Sequence, residues 1–528
     1  MQRRHLMRGA AMAAGAAALP RFAIAQKAQK PLVFVPTADL SSLDPIWTTT
    51  QTVQSHGYYV FDTLYGVDGR LGVHPQMAEG HEISADGRTW RIKLREGLKF
   101  HDGEPVLARD CAASLKRWCQ RDVLGQTAAT FVEEWGTDGD RIVKVTLKSP
   151  FPLLAFALGK PNGMVPFIMP ERIAAKTDPN AQITEVVGSG PYRFVREAFV
   201  PGGGAEYVKF DGYVPRTEKP DWTSGGKIAH IERIQWRVIA DTSTQAAALQ
   251  AGEVDWLEQV QPDLLPLLRK RKDLNVGPTN PIGYFGVMRF NSLHAPFNNP
   301  AIKRAVLRGL NQDDYMQSVT TGAPSDYRHC KALFTCGLPY GQEIGAPLMT
   351  GDLDKARAEI KAAGYAGEKV VILNPADVPS ISPFGHVTRD YFIKLGFNVE
   401  FVDTDWGTLV QRRNSKGPPD QGGWSVFHTW WIGTSVANPA LSTIIRGLGA
   451  KGWAGWFSDE KIEALTAQWL VAADEKDRLR LADAIQTQAF DTVPTAPLGQ
   501  FTINTAYRKA LTGMVEGTSP YPWGLRWA

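Results

Sequence analysis

Apolar and polar side chains alternate most clearly in 89–95, where Trp90, Ile92 and Leu94 interleave with Arg91, Lys93 and Arg95. That period of two predicts a strand with one buried and one wet face. Asp86-Gly87 ahead of it predicts a two-residue type I′ hairpin turn, which needs positive φ at both central residues. Asp102-Gly103 reverses the chain again. The same kind of pattern predicts strands at 31–35, 141–147, 232–239, 254–257, 284–291, 369–373 and 397–402, and one from Phe501 onward. Helical spacing predicts a turn at 58–65, helices at 108–120, 244–250, 352–363, 384–395, 459–471 and 475–490, and one opening at Pro300. Asp241 and Asn299 are suitable N-caps, and Gly252 and Gly364 are natural stops. Strand 232–239, the helix and strand 254–257 form a β-α-β order that predicts a parallel pair. Gly188, Gly190 and Pro191 force a tight crossing and mark a boundary. No repeat of 20–50 residues is evident. Alternation of strand and helix along the chain predicts an α/β fold.

The first 25 residues depart from this pattern. Arg3, Arg4 and Arg8 precede a weakly apolar run to Leu19, and Ala23-Ile24-Ala25 gives an A-x-A cleavage pattern before Gln26. The paired arginines fit a twin-arginine export signal, with an ordinary Sec signal as the alternative, and either predicts a periplasmic protein. Removing this segment takes away four arginines and no acid, leaving 54 basic and 54 acidic side chains. The pI of 8.7 therefore reflects the export segment, and support for a nucleic-acid partner disappears. No later run reaches the roughly 18 apolar residues of a membrane span, and no Cys follows the cleavage site, so no membrane anchor is expected. About 500 residues exceed one core and predict two or more compact units.

Four cysteines in an oxidising compartment invite pairing. Cys330 and Cys336 share a loop-like segment with Gly337 and Pro339 and form the expected disulfide. Cys111 and Cys119 lie in a helical pattern, about 12 Å apart at 1.5 Å per residue, too far to pair. No H-E-x-x-H, G-x-S-x-G or phosphate-loop motif is present, so neither a catalytic residue nor a cofactor or metal site is expected. Of sixteen tryptophans, Trp424, Trp430, Trp431, Trp453 and Trp456 fall in one short stretch. Such side chains bring large apolar area, flat faces and one N–H donor each.

The wording from Asp86 to Gly103 (D-G-R-T-W-R-I-K-L-R-E-G-L-K-F-H-D-G) closely resembles the signature of family 5 extracytoplasmic solute-binding proteins. Leu43-Asp44-Pro45, Phe61 to Leu64, Gly188 to Tyr192, Ala247 to Asp255, Asn298 to Leu310 and Lys355 to Tyr365 have counterparts in the same order. The resemblance covers nearly the whole exported chain. It implies a two-lobe periplasmic-binding-protein fold, type II-like and of the large cluster with an extra subdomain. Lobe I would comprise 26–57, 187–279 and 499–528, with the extra subdomain at 58–186 inserted in it; lobe II would be 280–498. The implied function is the monomeric receptor of an ABC importer, which captures a small organic solute or peptide-like ligand and delivers it to the permease subunits.

In peptide receptors of this family an Asp in the region of 428–439 grips the α-amine of the peptide. Here Pro439 is kept and Trp430 or Trp431 fills the Trp position, but Thr434 or Ser435 stands in place of the Asp and Asn438 in place of the acid before Pro. His428 falls near the family's Arg position. A buried ammonium without a carboxylate costs several kcal/mol, so a neutral polar, aromatic or quaternary-ammonium ligand fits these residues better than a zwitterionic peptide. Family position adds Trp424, Trp406, Tyr58 and Asn291 as candidates, with Arg289 beside Asn291. The rival readings are a peptide receptor with its carboxylate relocated to Asp403 or Asp405, a periplasmic hydrolase on the same scaffold, and a metal-chelate or haem carrier using His428 or His329.

Overall fold

Strand Leu32–Val35 lies inside a seven-stranded sheet, parallel to Arg233–Arg237 on one side and Trp256–Leu257 on the other. The computed structural model describes residues 30–528 except Pro179, Pro324 and Ala473, so the export segment lies outside the described residues. The predicted β-α-β unit is present, with helix Thr242–Ala251 capped by Asp241, whose carboxylate accepts from the Thr244 N–H. Its two strands are not neighbours, because the N-terminal strand is inserted between them. Outward from there the sheet continues through Gly204–Lys209 and Tyr192–Phe194 at one edge, and through Asn504–Arg508 and Leu274–Pro278 at the other. Phe34, Trp236 and Trp256 pack together across it, with ring centroids 4.6–5.6 Å apart.

A second sheet of six strands runs in the order Tyr327–Arg328, Thr495–Phe501, Tyr284–Phe290, Val426–Ile432, Lys369–Pro375 and Asn398–Thr404. Strand Tyr284–Phe290 is antiparallel to both its neighbours, whereas Lys369–Pro375 is parallel to both of its own. The chain passes between the two large sheets twice, at 279–283 and at 502–503. The last strand of the second sheet starts at Thr495 and ends at Phe501, where the sequence predicts a beginning. Pro497 and Gly499 disguise it, and a register shift opposite Gly286 and Val287 accommodates them.

The third sheet, Ala78–Ile83, Thr89–Leu94, Ile142–Leu147 and Val132–Asp138, is wholly antiparallel. Trp90, Ile92 and Leu94 face its core as their alternation requires. The turn before them is a five-residue loop and not type I′. Gly87 takes positive φ (70°) while Asp86 does not, because the Asp86 carboxylate instead accepts from Ser84 and from the Arg88 N–H. His101 of the signature is buried, and its Nε2 lies 3.0 Å from the Gly190 carbonyl. It thereby ties this sheet to the glycine-rich crossing. The helix predicted at 58–65 runs instead over Gln51–Val60. Its polar first turns are buried, which the sequence pattern does not announce.

Cys330 and Cys336 form a disulfide, and Cys111 and Cys119 are free and buried. The disulfide loop supports the end of strand Val426–Ile432, where the Thr335 N–H donates to the Val436 carbonyl and the Thr335 hydroxyl to that of Gly433.

Candidate functional site

The C-terminal ends of Leu32–Val35, Lys369–Pro375 and Val426–Ile432 converge on one cavity, the expected place for a ligand in an α/β sheet protein. It holds about 730 Å³ of free space, counting its open side. One wall comes from Thr37, Ala38 and the segment Thr49–Gln54. The other comes from Val378, Ile381, Trp406, Arg413, Trp430, Trp431, Ser435 and Trp453. A wider vestibule adjoins it, sharing Thr49, Trp406, Arg413 and Trp453 and adding Trp47, Arg121, Asp122 and Lys451. A further space of about 640 Å³ lies towards the crossing segments, lined by Thr37, Gln259, Ser380, Thr502 and Ile503 among others.

Four of the sequence-derived candidates meet at the cavity: Trp406, Trp430, Trp431 and Ser435. Trp430 is half-buried and donates its indole N–H to the Ser380 hydroxyl at 3.1 Å. Trp431 and Trp453 meet edge to face, 5.3 Å between centroids. The other six candidates are not in the cavity wall. Trp424 is core, donating its indole N–H to the Arg413 carbonyl at 3.0 Å and packing on Phe427. The Tyr58 hydroxyl donates to the Pro161 carbonyl at 2.7 Å, and its ring sits among Phe167, Tyr521 and Trp523. Asn291 donates to the Trp424 carbonyl and accepts from the Leu293 N–H. Asn438 caps a turn through the Ala440 and Leu441 N–H groups. His428 is fully buried 2.7 Å from the Thr388 hydroxyl, and burial lowers its pKa to about 3, which keeps it neutral.

Thr434 accepts a hydrogen bond from the side-chain amide of Asn162. Asn162 belongs to the opposite side of the cavity, where Gln54 holds it in place and itself donates to Ser519. Arg446 reaches the Thr127 hydroxyl at 3.4 Å in a second such contact. Asn162→Ala is expected to lower the ratio of closed to open molecules about fivefold, the effect of one buried hydrogen bond near 1 kcal/mol. Fluorescence transfer between dyes on the two halves reads that ratio, and an unchanged value would show that the bond does not hold them together.

Of the residues named in the rival readings, Asp403 accepts from Asn374 at 2.7 Å, and Asp405 caps helix Trp406–Arg412 through the Thr408 N–H. Exposed His329 bonds Asp313. None of these lines the cavity. Among the described residues, no three His, Cys, Asp or Glu side chains come together as a metal cage. The Arg289 guanidinium is buried but not in the wall, and it donates to the carbonyls of Ala454, Ile444 and Pro494 and to the Thr495 hydroxyl.

Arg413 and the Thr49–Gln54 wall were not foreseen from the sequence. Arg413 is 7% exposed and faces both the cavity and the vestibule. Its guanidinium carbon lies 5.5 Å from the Phe427 ring centroid, 5.8 Å from that of Trp406 and 6.0 Å from that of Trp453. Burial lowers its pKa to about 10, so it stays charged at neutral pH. It follows Trp406 by seven residues, a spacing that puts both on one helical face and could have flagged it.

A two-lobe α/β scaffold with an aromatic-walled cavity between its halves defines a solute-binding receptor. Residues 72–452 match the bacterial extracellular solute-binding proteins of family 5 (the middle region), and the chain belongs to that family. It is 35% identical over 532 residues to a probable peptide ABC transporter periplasmic-binding protein of Sinorhizobium fredii, covering all of this chain and 99% of that one. A periplasmic binding protein of A. tumefaciens R10 in complex with agropinic acid superposes with a TM-score of 0.80 at 21% identity, covering 94% of this chain and 99% of the other. The Helicobacter pylori DppA in complex with the peptide STSA gives 0.79 at 20%, with 94% and 98% covered. The protein is thus the substrate-binding component of an ABC importer. No helix among the described residues is long and apolar enough to cross a membrane.

Proposed function

We propose that this receptor works in the periplasm, to which residues 1–25 direct it, and that it encloses one small organic solute between its lobes and releases it unchanged to the permease subunits. The observation that carries the reading is the cavity walled from both sides, with Asn162 and Thr434 joined beside it. Closure of such a pair of lobes shifts a population, and only as far as the guest prefers the closed form. Desolvation of apolar tryptophan surface and a few placed polar groups supply the affinity.

Binding without chemistry is supported by the wall itself, which among the described residues has no His, Cys, Asp, Glu or Lys and so no nucleophile–base pair. The same composition argues against a relocated amine-binding carboxylate. A guest of the size of the peptide or agropinic acid named for the similar structures is consistent with this reading. Native mass spectrometry of protein freshly released from the periplasm should show a bound small molecule, and its removal should expand the particle in solution scattering. An unchanged scattering profile, or a guest recovered as a cleaved product, would end the receptor account.

A further inference from the structure

We propose that the guest is an organic acid, with one carboxylate held by Arg413 and a flat apolar body against Trp430 and Trp431. This rests on the receptor reading above and names the chemical class that the cavity selects.

Arg413 is more than nine-tenths buried, yet among the described residues its hydrogen bonds are made by its main chain alone, and no carboxylate, carbonyl or hydroxyl bonds its guanidinium. Arg289 shows how this chain treats an arginine that is purely structural, giving its Nε and Nη1 three carbonyls and a hydroxyl as acceptors. A buried charge without such partners is costly, and one left facing a cavity is a recognition element awaiting an anion. The planar guanidinium suits two parallel hydrogen bonds to a carboxylate. Three aromatic rings within about 6 Å fix it in advance, which lowers the ordering cost of binding.

The remaining charges agree. Among the described residues, Arg413 is the only charged one in the enclosed wall, and the vestibule adds Arg121 and Lys451 against the single acid Asp122. That acid is already committed, to the Lys160 ammonium at 2.5 Å and to the Leu124 and Gly125 N–H groups. The indole N–H groups of Trp431 and Trp453 are buried without an acceptor, so the unsatisfied groups beside Arg413 are donors as well. A quaternary ammonium, which the tryptophans alone would suit, is disfavoured because Arg413 takes up the aromatic faces of Trp406 and Trp453 and repels a second cation.

The test is a thermal-shift and scattering screen on the exported chain with phenylacetate, hippurate and indole-3-acetate, the amide and the amine matching each, and a set of di- and tripeptides. At least one free acid should raise the melting temperature and contract the particle, and its amide and amine should not. Arg413→Gln should weaken that acid roughly tenfold to a hundredfold, the usual effect of losing a charged hydrogen-bond donor, and Arg413→Lys should recover part of it. Without added acid, Arg413→Gln should melt no lower than the parent. A lower melting point would mark a structural arginine and overturn the proposal. So would an amide or amine that binds as well as its acid, affinity unaffected by Arg413→Gln, or a screen in which no acid binds. Contraction by neutral or cationic compounds alone would leave the receptor reading standing and remove only the acid. Contraction by no compound of any class would remove both.

Discussion

Asp44→Asn is expected to cost the folded state about 3–5 kcal/mol, because it leaves Arg117 as a buried charge with no counter-charge. Asp44 and Arg117 are both essentially inaccessible, at 0% and 2% side-chain exposure. The pair is bidentate, with Arg117 Nη1 3.1 Å from Oδ1 and Nη2 2.5 Å from Oδ2. The carboxylate also accepts from the Ile46 and Ile183 N–H groups. Asparagine keeps the shape but turns an N–H₂ towards the guanidinium or towards a backbone N–H, so at least one contact becomes repulsive. The consequence reaches the cavity, since the bond anchors the loop leading into Thr49–Gln54 to helix Ala108–Arg121. Urea unfolding would measure the loss. Asp44→Leu combined with Arg117→Met should recover most of it, because the cost lies in the orphaned charge and not in the missing pair. A loss below about 1 kcal/mol in the single variant would show that water or rearrangement satisfies Arg117.

The same loop shows why parts of the molecule are legible in sequence and parts are not. The signature from Asp86 to Gly103 is readable because turn chemistry and strand alternation coincide there, and Trp90, Ile92 and Leu94 fall inward as the pattern demands. Helix Gln51–Val60 is the opposite case. Gln54 and His56 are polar yet buried, paired across the fold with Asn162, Ser519 and Tyr207, and no local pattern contains those partners. Strand Thr495–Phe501 is buried at every position, so it has no alternation to read, and Pro497 within it argues locally against a strand.

At the site, chemistry was easier to read than placement. A cluster of tryptophans announces a grip on flat groups, and Trp430, Trp431 and Trp453 of that cluster do line the cavity. Nothing in the local sequence separates them from Trp424, which differs only in pointing at the core. Arg412 and Arg413 are adjacent at a helix end and look alike on paper. Arg412 lies over the Gly422 and Gly423 carbonyls, whereas Arg413 turns inward, and that difference is set by Phe427 and Trp453 from other elements. Thr434 also illustrates the limit. It is one of the two residues, with Ser435, expected in the place of an amine-binding Asp, and its hydroxyl is engaged by Asn162, a partner 272 residues away.

Lys303→Met is expected to stabilise the protein, and by an amount that falls as pH rises. Lys303 sits in helix Pro300–Gly309 at 2% exposure, its ammonium 3.5 Å from the Ser292 hydroxyl and 5.4 Å from the Phe457 ring centroid. Burial, and then repulsion by Arg289 and Arg304, lowers its pKa from 10.5 to about 7. Between those two values the unfolded chain holds a proton that the folded chain does not. Unfolding is therefore favoured at the acidic end of this window, and stability rises with pH through it. Methionine removes the titration. At about 1.4 kcal/mol per pKa unit, the advantage of the variant should be on the order of 4 kcal/mol at pH 7 and about 2 kcal/mol at pH 9. Denaturation curves of both proteins across that range check the sign and the slope, and a difference independent of pH would show that Lys303 keeps its ordinary pKa. Because Lys303 lines none of the spaces between the lobes, closure should be the same in both proteins. The cost of this cation is borne by the fold, whereas Arg413 faces a cavity where an anion can repay it.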